Sequence, residues 1–398
     1  AGISQGGIWQ ENRPLPPECR PAAGHIFMAG GKAGETMSTM FIVLSRKTVL
    51  RAVIALAAAL ALLVGGCLAY ARAGAADTGG GAASSQDTDY IKWVDFDVPY
   101  ELLSHALDLD IASHDTDTPV SWIELLAYAA SKNGNNWKSY TAGKLDETVK
   151  ALQEGAAMED LTRDLTYYDY YHEAYSAVLG GLVGYYEIEV PDETAESGKR
   201  WEARYGLKGF SPIARNYPYS DFDDFGSSRD YGFKRKHLGH DLMGAVGTPI
   251  IAVEGGTVEA LGWNQYGGWR IGIRSFDQKR YYYYAHLRKN FPYNKELEIG
   301  SVVQPGDVIG YLGRTGYSVA ENVNNIEQPH LHFGLQLIFD ESQKEGNNEI
   351  WVDVYPLVRL LYRNRSTVVK DEETKEYHRV YQIRDPAVPE SPPATATS

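Results

Sequence analysis

His237, Asp241, His286, His330 and His332 fall in one C-terminal stretch, as His-Leu-Gly-His-Asp, Tyr-Ala-His-Leu and Pro-His-Leu-His-Phe. Imidazole nitrogens and carboxylate oxygens are the donors with which hydrolases hold zinc, leaving one position open to water. Four histidines and an aspartate exceed what ligation alone requires. The surplus histidines are candidates for proton transfer, since an imidazole exchanges protons near neutral pH.

Spacing then says which elements must carry them. His330 and His332 lie two apart in Gln-Pro-His-Leu-His-Phe-Gly-Leu-Gln-Leu, an alternating run that reads as a strand. Residues two apart on a strand share a face, so both rings enter one pocket. His237 and Asp241 are also separated by an even number of positions, with Gly239 between them to permit close backbone approach and His240 turned the other way. His286 ends Arg-Tyr-Tyr-Tyr-Tyr-Ala-His, a β-prone aromatic run that delivers its ring from a neighbouring strand. Either His-x-His or His-x-x-x-Asp alone is a weak signal; the combination is much stronger.

In this order the motifs resemble the lysostaphin-like zinc endopeptidases of bacterial cell walls. The likeness extends over roughly residues 205–360. Gly247 to Trp263 is similar to that family's strand, Gly turn and strand; Asn264 to Arg274 resembles its next hairpin; Gly300 to Gly310 resembles the turn and buried strand before Gly313-Arg-Thr-Gly316. One departure is the segment between Gly316 and His330, longer than the family's short link, which predicts a loop over the cleft.

The resemblance implies that His237, Asp241 and His332 bind Zn2+ and that His286 and His330 are catalytic, doing the acid and base work. Zinc polarises a carbonyl and acidifies a bound water from a pKa of about 15.7 to about 7. A neutral His330 is suited to take a proton and pass it to the leaving amine, and His286 to orient water or stabilise the developing oxyanion. Tyr231 is a weaker candidate for a hydrogen-bond donor and reads slightly better as a loop aromatic. Phe233-Lys-Arg-Lys-His237 is either a local anion-attracting patch or a solvated loop.

The N-terminal half bears on location. Arg46, Lys47 and Arg51 precede an uncharged apolar run from Ala52 to Tyr70, about the ~20 residues that span a bilayer. Basic residues on the leading side predict that the rest of the chain lies outside. An uncleaved anchor is the preferred reading, ahead of a signal peptide cut near Ala71 or Ala73 and of a lipoprotein signal ending at Cys67. Cys19 and Cys67 are the two cysteines, so the exported part has no intramolecular disulfide and is stabilised by its cores. A formal charge of -14 argues against nucleic acid as a partner.

The resulting fold class is multidomain: an N-terminal membrane segment, an α-helical module, then a mainly antiparallel β catalytic domain of lysostaphin-like type. The expected divisions are a disordered or cytoplasmic tail at 1–45, the anchor or signal at 46–72, a linker at 73–88, the helical module at 89–190, the zinc endopeptidase domain at 205–362, a hairpin extension at 363–385 and a disordered tail at 386–398. Ser121-Trp-Ile-Glu124 is a capping box that opens a helix stopped by Gly134. Further helices are expected over Lys144 to Leu152, Met158 to Leu165 and Tyr167 to about Val183, with helix-like sequence reaching Glu189. Glu124, Glu147, Glu154 and Glu173 supply carboxylates, but no context singles out one for glycan cleavage. The helical module is read as a spacer, substrate-positioning or partner-binding element.

Taken together, the resemblance implies a zinc-dependent endopeptidase that cuts stem or bridge peptides of peptidoglycan, and the N-terminal apolar segment predicts that it is membrane-tethered with its catalytic domain outside. The alternative is a catalytically silent domain of the same type that binds a protein partner in a division or sporulation complex.

Overall fold

The structure, a computed structural model, describes residues 90–389 apart from 231–233, 345 and 347. The stretches 1–45, 46–72 and 73–88 and most of the tail at 386–398 lie outside the described residues. Among the described residues no helix is long and apolar enough to cross a membrane.

The chain enters through helices α1 (Tyr100–Ser113), α2 (Trp122–Asn133), α3 (Ala142–Gln153), α4 (Met158–Thr162) and α5 (Tyr168–Leu179). At the start of α2 the Ser121 hydroxyl accepts the Glu124 N–H at 3.4 Å, and Gly134 closes the helix in the left-handed region at φ 62°. The expectation that the last helix runs to about Val183, and helical structure to Glu189, is corrected. Helix α5 ends at Leu179, where Gly180 and Gly181 weaken helical continuation. Beyond them β1 (Val183–Pro191) pairs antiparallel with β2 (Lys199–Leu207).

Short strands β3 (Tyr219–Ser220), β4 (Ser228–Asp230) and β5 (Lys234–Lys236) lead to β6 (His240–Gly244) and β7 (Pro249–Ile251). A meander follows of β8 (Gly256–Asn264), β9 (Gly268–Ser275) and β10 (Arg280–Ala285). Then come β11 (Val302–Val303), β12 (Val308–Tyr311), β13 (His330–Leu337), β14 (Ile350–Trp351) and helix α6 (Tyr355–Leu361). The main sheet has the order β11-β8-β9-β10-β13-β6-β3, with β14 beside β13, and its pairings are antiparallel. Strands β15 (Val368–Lys370) and β16 (Tyr377–Arg379) form a hairpin in the 363–385 segment, and β17 (Ile383–Arg384) adds to β1.

Alternation along β13 decides which side of the sheet becomes core. Leu331, Phe333, Leu335 and Leu337 are fully buried, while His330, His332 and Gln336 share the opposite face. On β10, Tyr282 and Tyr284 join the core and lie against Phe333 with ring centroids 6.2 and 5.3 Å away. Burying one such ring contributes about 1.5–3 kcal/mol.

The sequence separates a helical module from the β domain, but in the structure they share one core. Leu125, Leu126, Val178 and Leu179 belong to the same cluster as Ile271, Tyr282 and Phe333. Arg280 ties the layers further: its guanidinium donates to the carbonyls of Ala177 (2.9 Å) and Ser176 (3.4 Å) at the end of α5. The described residues from α1 to β17 thus form one compact unit. Helix α5 contributes to it through Ala174, Tyr175, Ala177 and Val178, while Tyr167 just before it stays exposed.

Candidate active site

The antiparallel register of the main sheet sets Asp241 on β6 opposite His332 on β13, on the face away from the core. His237 reaches the same point from the link between β5 and β6. The three donors form a tight triangle: His237 Nε2 lies 3.0 Å from Asp241 Oδ1 and 2.9 Å from His332 Nδ1, and His332 Nδ1 lies 3.0 Å from Asp241 Oδ1. Gly239 makes this approach possible, because a Cβ there would sit 2.6 Å from the His332 ring.

Proton positions follow from the outer partners. His237 Nδ1 faces an Asp224 carboxylate oxygen at 3.1 Å and the Asp224 carbonyl at 3.2 Å, with Arg229 Nη2 farther off at 3.4 Å, so Nδ1 keeps its proton in either charge state and Nε2 is the nitrogen that would give up its proton to a metal. Two imidazole nitrogens and a carboxylate oxygen aimed at one point make a donor set suited to zinc. Ligands about 2.1 Å from a tetrahedral centre are about 3.4 Å apart, close to the observed separations. The residues therefore fit a zinc ion, with a fourth position left for water.

His286 and His330 stand beside the triangle. Their rings are 4.8 Å apart, and His286 lies 5.8 Å from the His332 ring. His330 Nε2 is 3.7 Å from Asp241 Oδ1. Both rings donate through Nδ1 to a backbone carbonyl, His286 to Thr315 at 2.9 Å and His330 to Gln328 at 2.8 Å. Each is thereby left with a basic Nε2. By strand alternation His286 would follow Tyr284 into the core. Its backbone instead takes φ 62°, a conformation costing about 1 kcal/mol in a residue with a Cβ, and the ring turns into the cleft. Gly316 leaves room for it: φ is 123° there, and a Cβ would lie 3.0 Å from His286 Nδ1.

Residues 235–346 match Peptidase family M23. Over 152 residues the chain is 36% identical to the L-Ala--D-Glu endopeptidase of Bacillus subtilis, covering 38% of this chain and 43% of that protein. Over 98 residues it is 39% identical to lysostaphin of Staphylococcus simulans, covering 24% and 17%. A putative glycyl-glycine endopeptidase LytM from Ruminococcus gnavus aligns over 67% of this chain and 88% of its own, with 27% identity and a TM-score of 0.43. The chain spans less than half the length of the two curated relatives. Residues 235–346 are an M23 peptidase domain of the lysostaphin-like kind.

Around the triangle of the M23 domain, Asp224 and Arg229 form a supporting shell that sequence reasoning missed. Arg229 donates to Asp224 at 2.6 Å and to the second oxygen of Asp241 at 3.0 Å. His240, turned the other way as expected, bonds Asp221 at 2.9 Å. The signal available was the acidic run Asp221-Phe-Asp-Asp224, but nothing in its spacing connects it to His237. Tyr231 lies outside the described residues.

Electrostatics separate the five residues. Burial opposes charge on His237, but hydrogen bonds to Asp224 and Asp241 outweigh it, and the pKa is pushed up to about 9 in the metal-free protein. Burial also opposes ionisation of Asp241, yet hydrogen bonds from His237 and His332 hold it well below the usual carboxylate range. Burial pushes His286 well below the ordinary histidine value, helped by the neighbouring His330 and His332. His332 is lowered too, burial outweighing its bond to Asp241.

The site opens into a cleft of about 960 Å³. The long segment before His330 supplies Tyr317, Asn325, Ile326, Glu327 and Gln328 to its lining, as the expected loop at the cleft. Asn322 pins this loop, accepting from the Trp269 indole and the Asn290 N–H, each at 2.9 Å. Arg235 and Lys236 of the basic cluster also line the cleft, and Arg235 lies 5.1 Å from the Tyr317 ring.

Proposed function

We propose that this protein is a zinc-dependent endopeptidase that hydrolyses peptide links of peptidoglycan. The observation that carries the reading is the largely buried His237–Asp241–His332 triangle with two cleft-lining histidines at its side, each held through Nδ1 by a backbone carbonyl. His237, Asp241 and His332 would hold the zinc, which when bound supplies Lewis acidity and an acidified water. Asp224 fixes the His237 tautomer, and Arg229 orients Asp241, as outer partners of metal ligands do.

His330 Nε2 takes a proton from the attacking water and later gives it to the departing amine. Its Nδ1 bond to Gln328 keeps the ring in the tautomer that can accept at Nε2. His286, neutral because it is buried, accepts at Nε2 to orient the water and donates there only when protonated. The relatives named as an L-Ala--D-Glu endopeptidase and as lysostaphin support a cell-wall peptide as substrate. The basic-flanked apolar segment at 46–72 supports a single-pass anchor with the peptidase outside the cell membrane, the working place for that substrate.

The test is mass spectrometry of muropeptides released from purified sacculi by the segment from Asp87 onward, beside a His330→Ala variant and a chelated sample. New amine and carboxyl ends that vanish in both controls are expected. A folded, zinc-loaded protein that releases nothing would instead make this a partner-binding domain.

A further inference from the structure

The three arginines lining the cleft are not equivalent. Arg229 is committed to Asp224 and Asp241. Arg235 lies between Tyr266 and Tyr317. Arg270 lines the same cleft from β9, yet among the described residues no carboxylate lies within ion-pair distance of it. Its guanidinium neighbours the Tyr281 hydroxyl, a neutral group, and its Nε is shut off from water with no hydrogen-bond partner. Two further cations are balanced, Arg274 by Glu341 and Lys344 by Glu259, each at 2.7 Å, while Lys236 at the cleft is solvent-exposed and keeps its charge hydrated. A half-buried guanidinium without a counter-charge is unfavourable unless something that visits the cleft supplies one.

Register places Arg270 with respect to the reaction. Asp241 pairs with His332, and His332 with Ala285. The β9–β10 ladder ends with Tyr284 opposite Ile271, whose side chains enter the core; Arg270, one position before Ile271, takes the opposite face and lines the cleft. Asp241, His332 and Ala285 occupy one row across three adjacent strands, and Arg270 lies on the next strand beyond Ala285 on that face. In that row the side chain beyond His332 is only the Ala285 methyl group. Two strand spacings, about 10 Å, separate Arg270 from His332, a distance spanned by about three residues of extended peptide.

We infer that Arg270 is a specificity-determining residue that pairs with a free carboxylate on the substrate, within two or three positions of the cleaved bond. The favoured substrate is then an acidic peptide and not a neutral glycine bridge. Guanidinium and carboxylate match as a bidentate pair, and a neutral amide in place of the carboxylate forfeits both the charge and one acceptor. On a chain of net charge -14, cations local to the cleft are what favour an anionic group there. This inference rests on the endopeptidase reading for its substrate but not for its test, because binding is measured separately from turnover.

The experiment compares two synthetic peptides with the zinc-loaded protein: L-alanyl-γ-D-glutamyl-L-lysine and its counterpart with the glutamyl α-carboxylate amidated. Calorimetry gives affinity, and chromatography of the products gives kcat/KM. The wild type is expected to favour the free carboxylate about tenfold in binding. Arg270→Gln should collapse that preference to within about twofold, and Arg270→Lys should keep part of it because the charge remains. A purely structural Arg270 would instead weaken both peptides equally, with a lowered Tm, and equal wild-type affinities would likewise overturn the inference. If neither peptide is hydrolysed but the carboxylate preference in binding persists, the carboxylate site stands and the endopeptidase reading falls.

Discussion

Two buried ionic clusters in this protein face opposite ways in their chemistry. At Arg280 every partner is matched: the guanidinium meets Glu254 at 2.7 and 3.1 Å, Asp277 at 2.6 Å and two carbonyls of α5, while Tyr282 donates to Glu254 at 2.7 Å. At Asp241 the matching is left incomplete. Two imidazole nitrogens and a carboxylate oxygen converge on one point within about 3 Å of one another, a donor set that a shared cation satisfies better than separate protons. The closed cluster ties helices to sheet; the open one is arranged to receive a cation. A buried charge therefore indicates function here only where donors and acceptors fail to balance among themselves.

The largest expected effect comes from breaking the open cluster. Asp241→Ala should abolish zinc retention and reduce muropeptide release by at least about a thousandfold, read from metal analysis alongside product yield. A variant that retains stoichiometric zinc and activity would end the assignment of Asp241 as a ligand.

Breaking the closed cluster should act on stability instead. Glu254→Ala leaves Arg280 buried without its main counter-charge and should cost about 3–5 kcal/mol in chemical denaturation, with zinc per folded molecule unchanged. Glu254→Leu combined with Arg280→Met should recover much of that loss. Should the double variant instead lose its zinc, the two clusters would not be separable.

Asp224→Asn probes the shell between ligand and scaffold. It preserves shape but weakens the acceptor that fixes His237, and zinc affinity should fall about 10- to 100-fold in competition with a chromophoric chelator. An unchanged affinity would mean that the Asp224 carbonyl alone holds the ring.

The smallest effect is a proton count. In the metal-free protein His237 has a pKa of about 9, raised above its unfolded value of about 6.5 by Asp224 and Asp241 against the opposing effect of burial. Its stabilising contribution is then fully present below about pH 6.5 and lost as pH rises through about 9. At pH 7 the ring is charged, so zinc binding should release about one proton, detectable by calorimetry in buffers of different ionisation enthalpy. Release of none would show that His237 is already neutral before metal binds.

Much of the site was legible in the sequence because strand periodicity is local. The even spacing of His330 and His332 puts both rings on one face whatever lies beside them. The side taken by His286 was not legible from alternation, since a positive φ supported by Gly316 turns it. Asp224 and Arg229 were invisible for a different reason. Asp224 lies on a loop and Arg229 on the three-residue strand β4, segments too irregular or too short to carry a period that points to the site. The capping pattern at Ser121 and the stop at Gly134 were readable because both act within one helical turn. The helix that was expected to continue past Gly180 was not, because its apolar residues serve equally well in the strand that pairs with β2.

By itself, the sequence determined the donor types, their parity along each strand, and the alternation that divides β13 into a core face and a functional face. These follow from covalent geometry and short-range sterics, which need no knowledge of neighbours. Only the tertiary structure decided that His237, Asp241 and His332 meet within about 3 Å, which nitrogen of each supporting ring carries the proton, and that α5 is joined to the sheet through Arg280. Those outcomes depend on groups far apart in the chain, and close packing selects among many arrangements that the local rules leave equally acceptable.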